Sequence, residues 1–509
     1  MKKSIIPVLA FAVATSLWSC SKDNLNQLAP DQLTTDNFWT SKDKALSGLS
    51  AAYSQLESFV GWDNYVEARS VREFYREDYV VPGADAYNYS WWLDHYNFAF
   101  TSGNYAIDLL WRDNYKGLNF SNQVLEGIEK IPAGGIDDAS KKQIIAEAKF
   151  LRAYYHFKLL TNFEKIILRD KVPVSEADLT KGLSERKDAY DMILPDLAAA
   201  ETDLPLKSER PAAEAGRITK GAAQAYIGKV NLYRAAEDQT NAAAYYTNAV
   251  NSLKNVINSN QYQIDPDFLA MFNGTTKNGV ESVFELQQTA DASNGANYRS
   301  YLADWVAAAE LGGYGEIYGT QRLLTEMKKE GKVATGGMYD PRIYGTVYFE
   351  DSYFNNANNP QVYGDTYDDV FGNGSNTIAF RKWIPPTPDR IGRSNALNVP
   401  LMRYADVLLL YAEALNESGK SGDAVPIIND LRNKRGNMPA LNISSKQDVF
   451  NAIMHERVME FTLESSRFYD LRRWGLLTQN MQAAGRSFSA DKVYYPLPLK
   501  ETLNNPLVH

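Results

Sequence analysis

Aromatic side chains set among glycine, asparagine and acidic residues are the feature of this sequence best suited to chemistry. A flat ring can cover the apolar face of a sugar, and a neighbouring carboxylate or guanidinium can bind the sugar hydroxyls. The candidate stacking residues are Trp62, Trp91, Trp92, Tyr96, Trp305 and Tyr314. Asp78 and Arg381 are the candidate hydroxyl partners. Together these eight residues predict a carbohydrate-binding site.

Catalytic motifs are scarce. The chain has four histidines, and His455-Glu456 lacks the second histidine that a H-E-x-x-H zinc site requires. Glu456, Glu460 and Glu464 recur every four residues with several arginines nearby, from Arg457 onward, which indicates a structural ion-pair network. We therefore predict no catalytic residue and no metal centre. A carboxylate pair for glycoside hydrolysis stays open, because the separation of such a pair is a property of space.

Loop motifs for cofactors are equally weak. Segments 313–315 and 372–374 are glycine-containing but do not stand between an apolar strand and a helix, so they predict turns. Asp365, Asp368 and Asp369 could offer oxygens to Ca²⁺, yet they lack the spacing of an EF-hand loop. A solvated acidic loop is favoured, the binding of a structural Ca²⁺ stays open, and no cofactor is predicted.

The overall composition is that of a globular protein. The chain has 509 residues, of which 44% are hydrophobic and 23% charged. The formal net charge is −9 and no block of Lys and Arg stands out, so the positive surface needed for nucleic acid is missing. No nucleic-acid partner is predicted.

The first 19 residues have the layout of a bacterial export signal. Lys2 and Lys3 precede an apolar stretch over residues 5–18 that is too short for an ordinary membrane-spanning helix. The sequence that follows, Leu17-Trp18-Ser19-Cys20, resembles a lipobox, in which the cysteine is acylated and becomes the first mature residue. Residues 1–19 are therefore predicted to be a lipoprotein signal peptide, with Cys20 as the lipidation site.

The segment after Cys20 predicts how the protein is displayed. Residues 20–35 are polar and without periodicity, which is typical of a flexible tether. Ser21-Lys22-Asp23 resembles the signal that sends lipoproteins of Bacteroidetes-type bacteria to the outer face of the outer membrane. We expect a lipid-anchored, cell-surface protein of the outer membrane.

Helical periodicity recurs in pairs of segments and predicts a mostly α fold. The paired segments are 144–159 with 190–204, 222–233 with 246–256, 404–415 with 425–431, and about 42–57 with about 104–130. Arg403 to Gly436 spans 34 positions, the tetratricopeptide period, and Gly436 is the predicted C-cap. This pair is predicted to be tetratricopeptide-like, whereas the other pairs are irregular and far apart in sequence, so a continuous regular solenoid is not expected.

Residues from about 265 to 398 differ from this scaffold. Gly, Asn, Asp and Tyr are frequent, helical periodicity is mostly lost, and a short segment such as Ser282 to Gln287 is predicted to be a strand. A long irregular stretch in a compact domain is more often functional than not. We interpret residues 36–509 as a single domain in which this segment, inserted between helix pairs, forms the loop-rich ligand-binding half.

Seven ordered blocks of sequence resemble the SusD/RagB family of outer-membrane lipoproteins over nearly the whole mature chain. The blocks are residues 36–39, 111–119, 146–157, 217–233, 403–414, 455–467 and 495–506. One departure is Asn162 to Ile167, which replaces the usual Gly-x-Val-Pro-Leu of the family. Because the ligand contacts of the family lie in variable loops, none of them transfers to a numbered residue of this chain.

This resemblance implies a mostly α, SusD-like fold, in which four tetratricopeptide-like helix pairs form a scaffold that carries the loops of a shallow ligand site. It also implies a function in nutrient uptake. It implies a SusC-like TonB-dependent outer-membrane transporter as partner, over which the protein sits as a lid that captures an oligosaccharide. The alternative within the same class is a peptide-binding lid like those of the RagB branch. From a different class, the alternative is a lipid-anchored glycoside hydrolase.

Overall fold

The protein is mostly helical over the residues that its computed structural model describes, which are 38–56, 72–289, 301–391 and 395–508. The predicted signal peptide, Cys20, the tether and Trp62 lie outside these ranges. The α-helices are α1 Lys42–Ser54, α2 Ser90–Asn97, α3 Tyr105–Gly127, α4 Asp138–Asn162, α5 Glu176–Leu179, α6 Arg186–Asp203, α7 Lys220–Glu237, α8 Ala242–Asn258, α9 Leu302–Val306, α10 Gln321–Lys328, α11 Pro341–Thr346, α12 Tyr367–Phe371, α13 Tyr404–Glu417, α14 Ser421–Gly436, α15 Lys446–Phe461, α16 Arg467–Arg473, α17 Leu477–Ala483 and α18 Leu499–Asn504. The strands are β1 Val80–Pro82, β2 Ser282–Leu286, β3 Ile317–Gly319, β4 Val347–Tyr348, β5 Ala379–Phe380 and β6 Val399–Arg403.

The four predicted helix pairs are confirmed as packed pairs. Helix α1 packs against α3, α4 against α6, α7 against α8, and α13 against α14. Successive pairs also touch, since α3 contacts α4, α6 contacts α7, and α8 contacts α13. The pairs therefore form one continuous scaffold. None of the helices within the described ranges has both the length and the apolar character that a membrane crossing requires.

Small residues let neighbouring helices approach closely, both within a pair and between successive pairs. A Cβ at Gly228 of α7 would lie 2.4 Å from Leu253 Cγ of α8. A Cβ at Gly117 of α3 would lie 2.4 Å from Tyr155 Cε2 of α4, so a larger side chain at either glycine would force the helices apart. On α13 the small side chain of Ala405 is fully buried.

The end of α14 differs from the predicted cap by one residue. Gly436 is the last helical residue, and Asn437 takes the left-handed C-cap conformation with φ of 50°. Packing explains the glycine, because a Cβ at position 436 would lie 2.4 Å from Pro341 Cδ. The left-handed cap is thus supplied by asparagine, the commonest substitute for glycine in that conformation.

Within residues 265–289, 301–391 and 395–398, which the structure describes, all helices and strands are short, as the loss of periodicity predicts. The predicted strand at Ser282 is confirmed as β2, which pairs antiparallel with β6 so that Ser282 lies opposite Arg403. Two further strand pairs are antiparallel. The pair of β4 and β5 lies within this segment, and the pair of β1 and β3 connects the segment to the chain just before α2. The irregular half is therefore attached to the scaffold through short backbone pairings.

The acidic repeat of α15 forms a buried ion-pair network, but its cations come from other elements than expected. Glu460 contacts Arg342 of α11 at 3.1 Å, Arg403 of β6 at 3.2 Å and Arg435 of α14 at 2.8 Å. These guanidinium groups hold the pKa of Glu460 far below its usual range, against the effect of burial. The expected Arg457 instead pairs with acidic residues outside the repeat.

Candidate ligand-binding site

Two distant segments are held together by the short sheet of β1 and β3. Pro82 lies opposite Ile317, and the Gly83 N–H donates to the Glu316 carbonyl oxygen at 2.8 Å. Glycine is required at position 83, since a Cβ there would lie 1.7 Å from the Gly315 carbonyl oxygen. This pairing brings the segment that contains α2 next to the segment that contains α9.

Helix α2 carries two of the predicted rings in its first turn. The Asn104 side-chain amide donates to the Trp91 carbonyl oxygen at 2.9 Å and fixes this turn. Trp91 is half-buried, whereas the Trp92 side chain is only 1% exposed. Trp92 therefore supports Trp91 from beneath and does not present a ring face to solvent, which corrects the prediction that both rings stack on a ligand.

Trp305 and Tyr314 are positioned by α9 and by the turn that follows it. Gly312 and Gly315 adopt positive φ values of 87° and 62°, which let the chain reverse. The Tyr314 N–H donates to the Asp304 carbonyl oxygen at 2.7 Å and closes this turn against α9. As a result Trp305 is buried, while Tyr314 remains 40% exposed.

Five rings from these two segments form one cluster, which we name the aromatic platform: Tyr89, Trp91, Trp92, Trp305 and Tyr314. The ring centroids are 4.1 Å apart for Trp91 and Trp92, 5.7 Å for Trp92 and Trp305, 6.3 Å for Trp305 and Tyr314, and 6.4 Å for Tyr89 and Trp305. These spacings suit favourable ring contacts. Tyr89, Tyr314 and part of Trp91 face solvent, and four of the predicted rings thus come together.

Two carboxyl groups lie beside the aromatic platform. Glu316, directly before β3, is buried, and its carboxyl group interacts with that of Asp85. The Tyr75 hydroxyl lies 3.3 Å from Glu316 Oε2. Burial, and then the neighbouring Asp85 carboxyl group, raise the pKa of Glu316 to about 8. Glu316 is therefore protonated at neutral pH. The charges of both carboxyls add to the effect of burial in raising the pKa of Tyr89.

Three predicted site residues are engaged elsewhere. Asp78 is buried and accepts hydrogen bonds from Arg467 at 2.8 and 3.1 Å, so its oxygens are not available to a sugar, contrary to the prediction. The guanidinium of Arg486 covers one face of Tyr96 at 3.7 Å from the ring centroid. Arg381 is half-buried at the end of β5, where its Nη1 donates to the carbonyl oxygen of Tyr344 of α11 at 3.0 Å.

Sequence reasoning missed Tyr89, Asp85 and Glu316. Tyr89 had a usable signal, because Tyr87-Asn88-Tyr89 stands one residue before the two tryptophans and mixes rings with an amide. Asp85 and Glu316 had none, since their significance comes from the β1–β3 pairing, which joins residues far apart in sequence.

One group of potential metal ligands occurs within the described ranges. Ligand atoms of Glu330, His455 and Glu456 lie within 4.8 Å of one another. Arg432 contacts Glu330 at 2.8 Å and Glu456 at 2.6 Å. Arg432 thus pairs with both carboxylates, and Arg342 contacts Glu456 as well at 2.8 Å, so the group belongs to the structural ion-pair network.

Comparisons with known proteins agree with this architecture. A family model described as "SusD family" matches residues 233–504, and one described as "Starch-binding associating with outer membrane" matches residues 53–232. A SusD-like protein of Formosa agariphila is 25% identical to this chain over an alignment 540 residues long, gaps included. The alignment covers 99% of this chain and 98% of that protein. The crystal structure of a SusD superfamily protein from Bacteroides vulgatus aligns with a TM-score of 0.80 at 25% identity, over 93% of this chain and 99% of that one. A laminarin-binding SusD-like protein aligns with a TM-score of 0.72 at 20% identity, over 92% and 99% of the two chains.

Proposed function

Because this chain belongs to the SusD family, we propose that it is a non-catalytic glycan-binding protein of the bacterial cell surface. In this proposal Cys20 carries a lipid that anchors the protein to the outer membrane. The protein then acts as the lid of a SusC-like TonB-dependent transporter and delivers a captured oligosaccharide to it. The family description "Starch-binding associating with outer membrane" supports both the ligand class and the location.

The observation that carries this proposal is the aromatic platform. Trp91 and the exposed Tyr89 and Tyr314 surround a floor of two buried tryptophans, so their rings are held in place before a ligand arrives. A preorganised ring loses little conformational freedom on binding, and a sugar face can then be covered at low cost. We propose Trp91 and Tyr314 as the principal stacking residues.

The carboxyl pair beside the platform argues against a hydrolase. Catalytic carboxyls of glycosidases flank the scissile bond at separations of about 5 to 10 Å. Glu316 is instead buried, and its carboxyl group interacts with that of Asp85. A buried carboxyl group is not placed to act on a sugar bond at the surface, so we assign this pair a structural role.

The test is a titration of the purified protein with oligosaccharides of starch, laminarin and other glycans. Loss of one ring contact should weaken binding by about 1 kcal/mol, which is roughly a fivefold rise in Kd. We expect this rise in Trp91→Ala and in Tyr314→Ala. Tyr245→Ala removes a half-buried ring from α8, far from the platform in sequence, and serves as the matched control.

Three results would change the assignment. Binding of peptides in preference to every glycan would favour the peptide-importing branch of the family. Appearance of shorter saccharides after incubation with the protein, detected by chromatography, would contradict a non-catalytic role. Equal affinity of both ring variants and the parent for a bound glycan would remove the platform from the site.

A further inference from the structure

Two half-buried carboxylates border the aromatic platform beside α2. Asp94 lies one helical turn after Trp91, and the Asn104 amide contacts both residues, the Trp91 carbonyl oxygen at 2.9 Å and Asp94 Oδ2 at 3.5 Å. Asp85 stands at the start of the short 3₁₀ helix that precedes α2. Burial, and then the charges of acidic groups that include Asp85, raise the pKa of both exposed tyrosines of the platform. The Asp85 charge therefore reaches rings that come from two distant segments.

A third carboxylate, Glu310, is exposed in the turn after α9. The Tyr318 hydroxyl donates to Glu310 Oε2 at 3.3 Å. The same hydroxyl would lie 3.0 Å from a Cβ at Gly315, the residue that follows Tyr314 of the platform. These contacts place the Glu310 carboxylate at the α9 side of the rings. We name Asp85, Asp94 and Glu310 the acidic rim.

The charges of the acidic rim are not compensated by the protein. Asp85 Oδ1 accepts a hydrogen bond from the Asn88 amide at 2.8 Å, and Glu310 accepts from the Tyr318 hydroxyl. These donors, like the amide that contacts Asp94, are neutral. Over the ranges that the structure describes, none of the three carboxylates forms an ion pair. This is unusual for a chain in which so many carboxylates meet a lysine or an arginine.

Cations are also missing from the exposed rings. Arginine and lysine side chains lie over many rings of this protein, and further along α2 the guanidinium of Arg486 covers Tyr96 at 3.7 Å. Among the residues described, no arginine or lysine lies over Tyr89, Trp91 or Tyr314. A carboxylate or sulfate on a glycan bound at these rings would therefore meet like charge at the rim and no cation on the ring faces.

Taking glycan binding at the aromatic platform as its premise, we propose that the acidic rim makes this site selective for neutral and amino-bearing glycans and excludes glycans that carry carboxylate or sulfate groups. The rim repels an acidic sugar. It attracts a protonated amino group, which can also lie over a ring face. Specificity of this kind comes from a repulsive element as much as from the attractive ring contacts.

The test compares different charges on one glycan skeleton. The probes are maltohexaose, laminarihexaose and cellohexaose, each beside one derivative with its C6 alcohols oxidised to carboxylates and another with amino groups in their place. For each skeleton that binds, the oxidised form should bind at least about tenfold more weakly than its parent in low salt, and the amino form at least as tightly as the parent. In about 1 M salt, where the Debye length is about 3 Å, the penalty on the oxidised form should fall to about twofold or less.

Variants of the rim show whether the effect is local. Asp94→Asn combined with Glu310→Gln removes two charges of the rim and should reduce the low-salt penalty on the oxidised form at least about threefold. The matched control combines Asp203→Asn at the end of α6 with Glu176→Gln on α5. It removes two exposed carboxylates that form no ion pair within the described part of the chain, and it should leave the penalty unchanged.

Three outcomes would overturn the selectivity. These are an oxidised form that binds as tightly as its parent in low salt, an amino form that binds as weakly as the oxidised form, and an equal change of the penalty in rim and control variants. Tight binding of acidic forms alone would overturn the selectivity and leave the proposed glycan-binding function intact. Failure of every skeleton to bind in any form would instead count against the proposed function, and the selectivity would fall with it.

Discussion

Replacing Glu316 with glutamine should change how stability depends on pH. The folded protein holds the Glu316 proton up to about pH 8, because burial and the neighbouring Asp85 raise its pKa. The unfolded chain releases the same proton near the ordinary value for glutamate, about 4.3. Between these values the folded state binds one proton more than the unfolded state. The free energy of unfolding of the parent protein must therefore fall as pH rises through this window.

For a difference of one bound proton, the free energy of unfolding changes by at most about 1.4 kcal/mol per pH unit. From pH 5 to pH 7 the limit is therefore about 2.7 kcal/mol, and we expect about 1–2 kcal/mol because water near the partly exposed Asp85 screens the pair. Glutamine keeps the shape of the side chain but carries no titrating proton. The stability of Glu316→Gln relative to the parent should therefore increase with pH.

The assay is urea unfolding of both proteins at pH 5, 6, 7 and 8, compared by midpoint and slope. Glu310→Gln, which removes an exposed carboxylate from the same segment, controls for the change in net charge. Parallel midpoints of parent and Glu316→Gln across this range would refute the raised pKa of Glu316. A relative stability that falls with rising pH would reverse the sign and refute it more strongly.

Three further substitutions test the packing. Gly127→Ala should lower the free energy of unfolding by about 1–3 kcal/mol in urea titrations, because the added Cβ would lie 2.0 Å from the Trp39 ring. An unchanged midpoint of urea unfolding would mean that the Trp39 ring can move aside. Trp92→Ala should lower the free energy of unfolding by about 3–5 kcal/mol, because it leaves a cavity beneath Trp91. The variant should also bind glycan more weakly, since Trp91 loses its support. Unchanged glycan affinity would contradict this supporting role of Trp92. Arg435→Ala should lower the free energy of unfolding by about 3–5 kcal/mol in thermal or urea unfolding, because two buried glutamates each lose one of their arginine partners. A variant as stable as the parent would show that water enters the network.

The helical scaffold could be predicted from sequence because its signal is local. Apolar residues at helical spacing within α4, α7 and α13 indicate that one face of each helix is buried, and this pattern can be recognised without knowing the rest of the fold. The resemblance to a family then supplied the architecture of the whole. What local patterns could not give was the exact cap of α14, since both Gly436 and Asn437 suit a helix end and only contact with Pro341 decides between their roles.

The candidate site was predictable only in part for a related reason. Residue type identified Trp91, Trp92, Trp305 and Tyr314, but the order of burial among them depends on contacts between two segments joined by β1 and β3. Asp78 failed as a hydroxyl partner because its cation, Arg467, comes from the far end of the chain. A charged residue near aromatic rings in sequence carries no information about which distant charge it meets in the fold.

The ion-pair network explains how an irregular half can present a fixed platform. Buried ion pairs add little net stability, since desolvation offsets most of their attraction, but a mispaired charge in the same place is costly. Glu281 stands directly before β2 and contacts Arg403 at 2.5 Å and Arg435 at 2.7 Å, so a shift in β2–β6 register would bury unpaired charges. Arg342 ties α11 to α15 in the same way, and α11 leads directly into β4. Since β4 pairs with β5, and β5 lies against β3, the network also constrains the strand that holds Glu316 and Tyr314 beside α2.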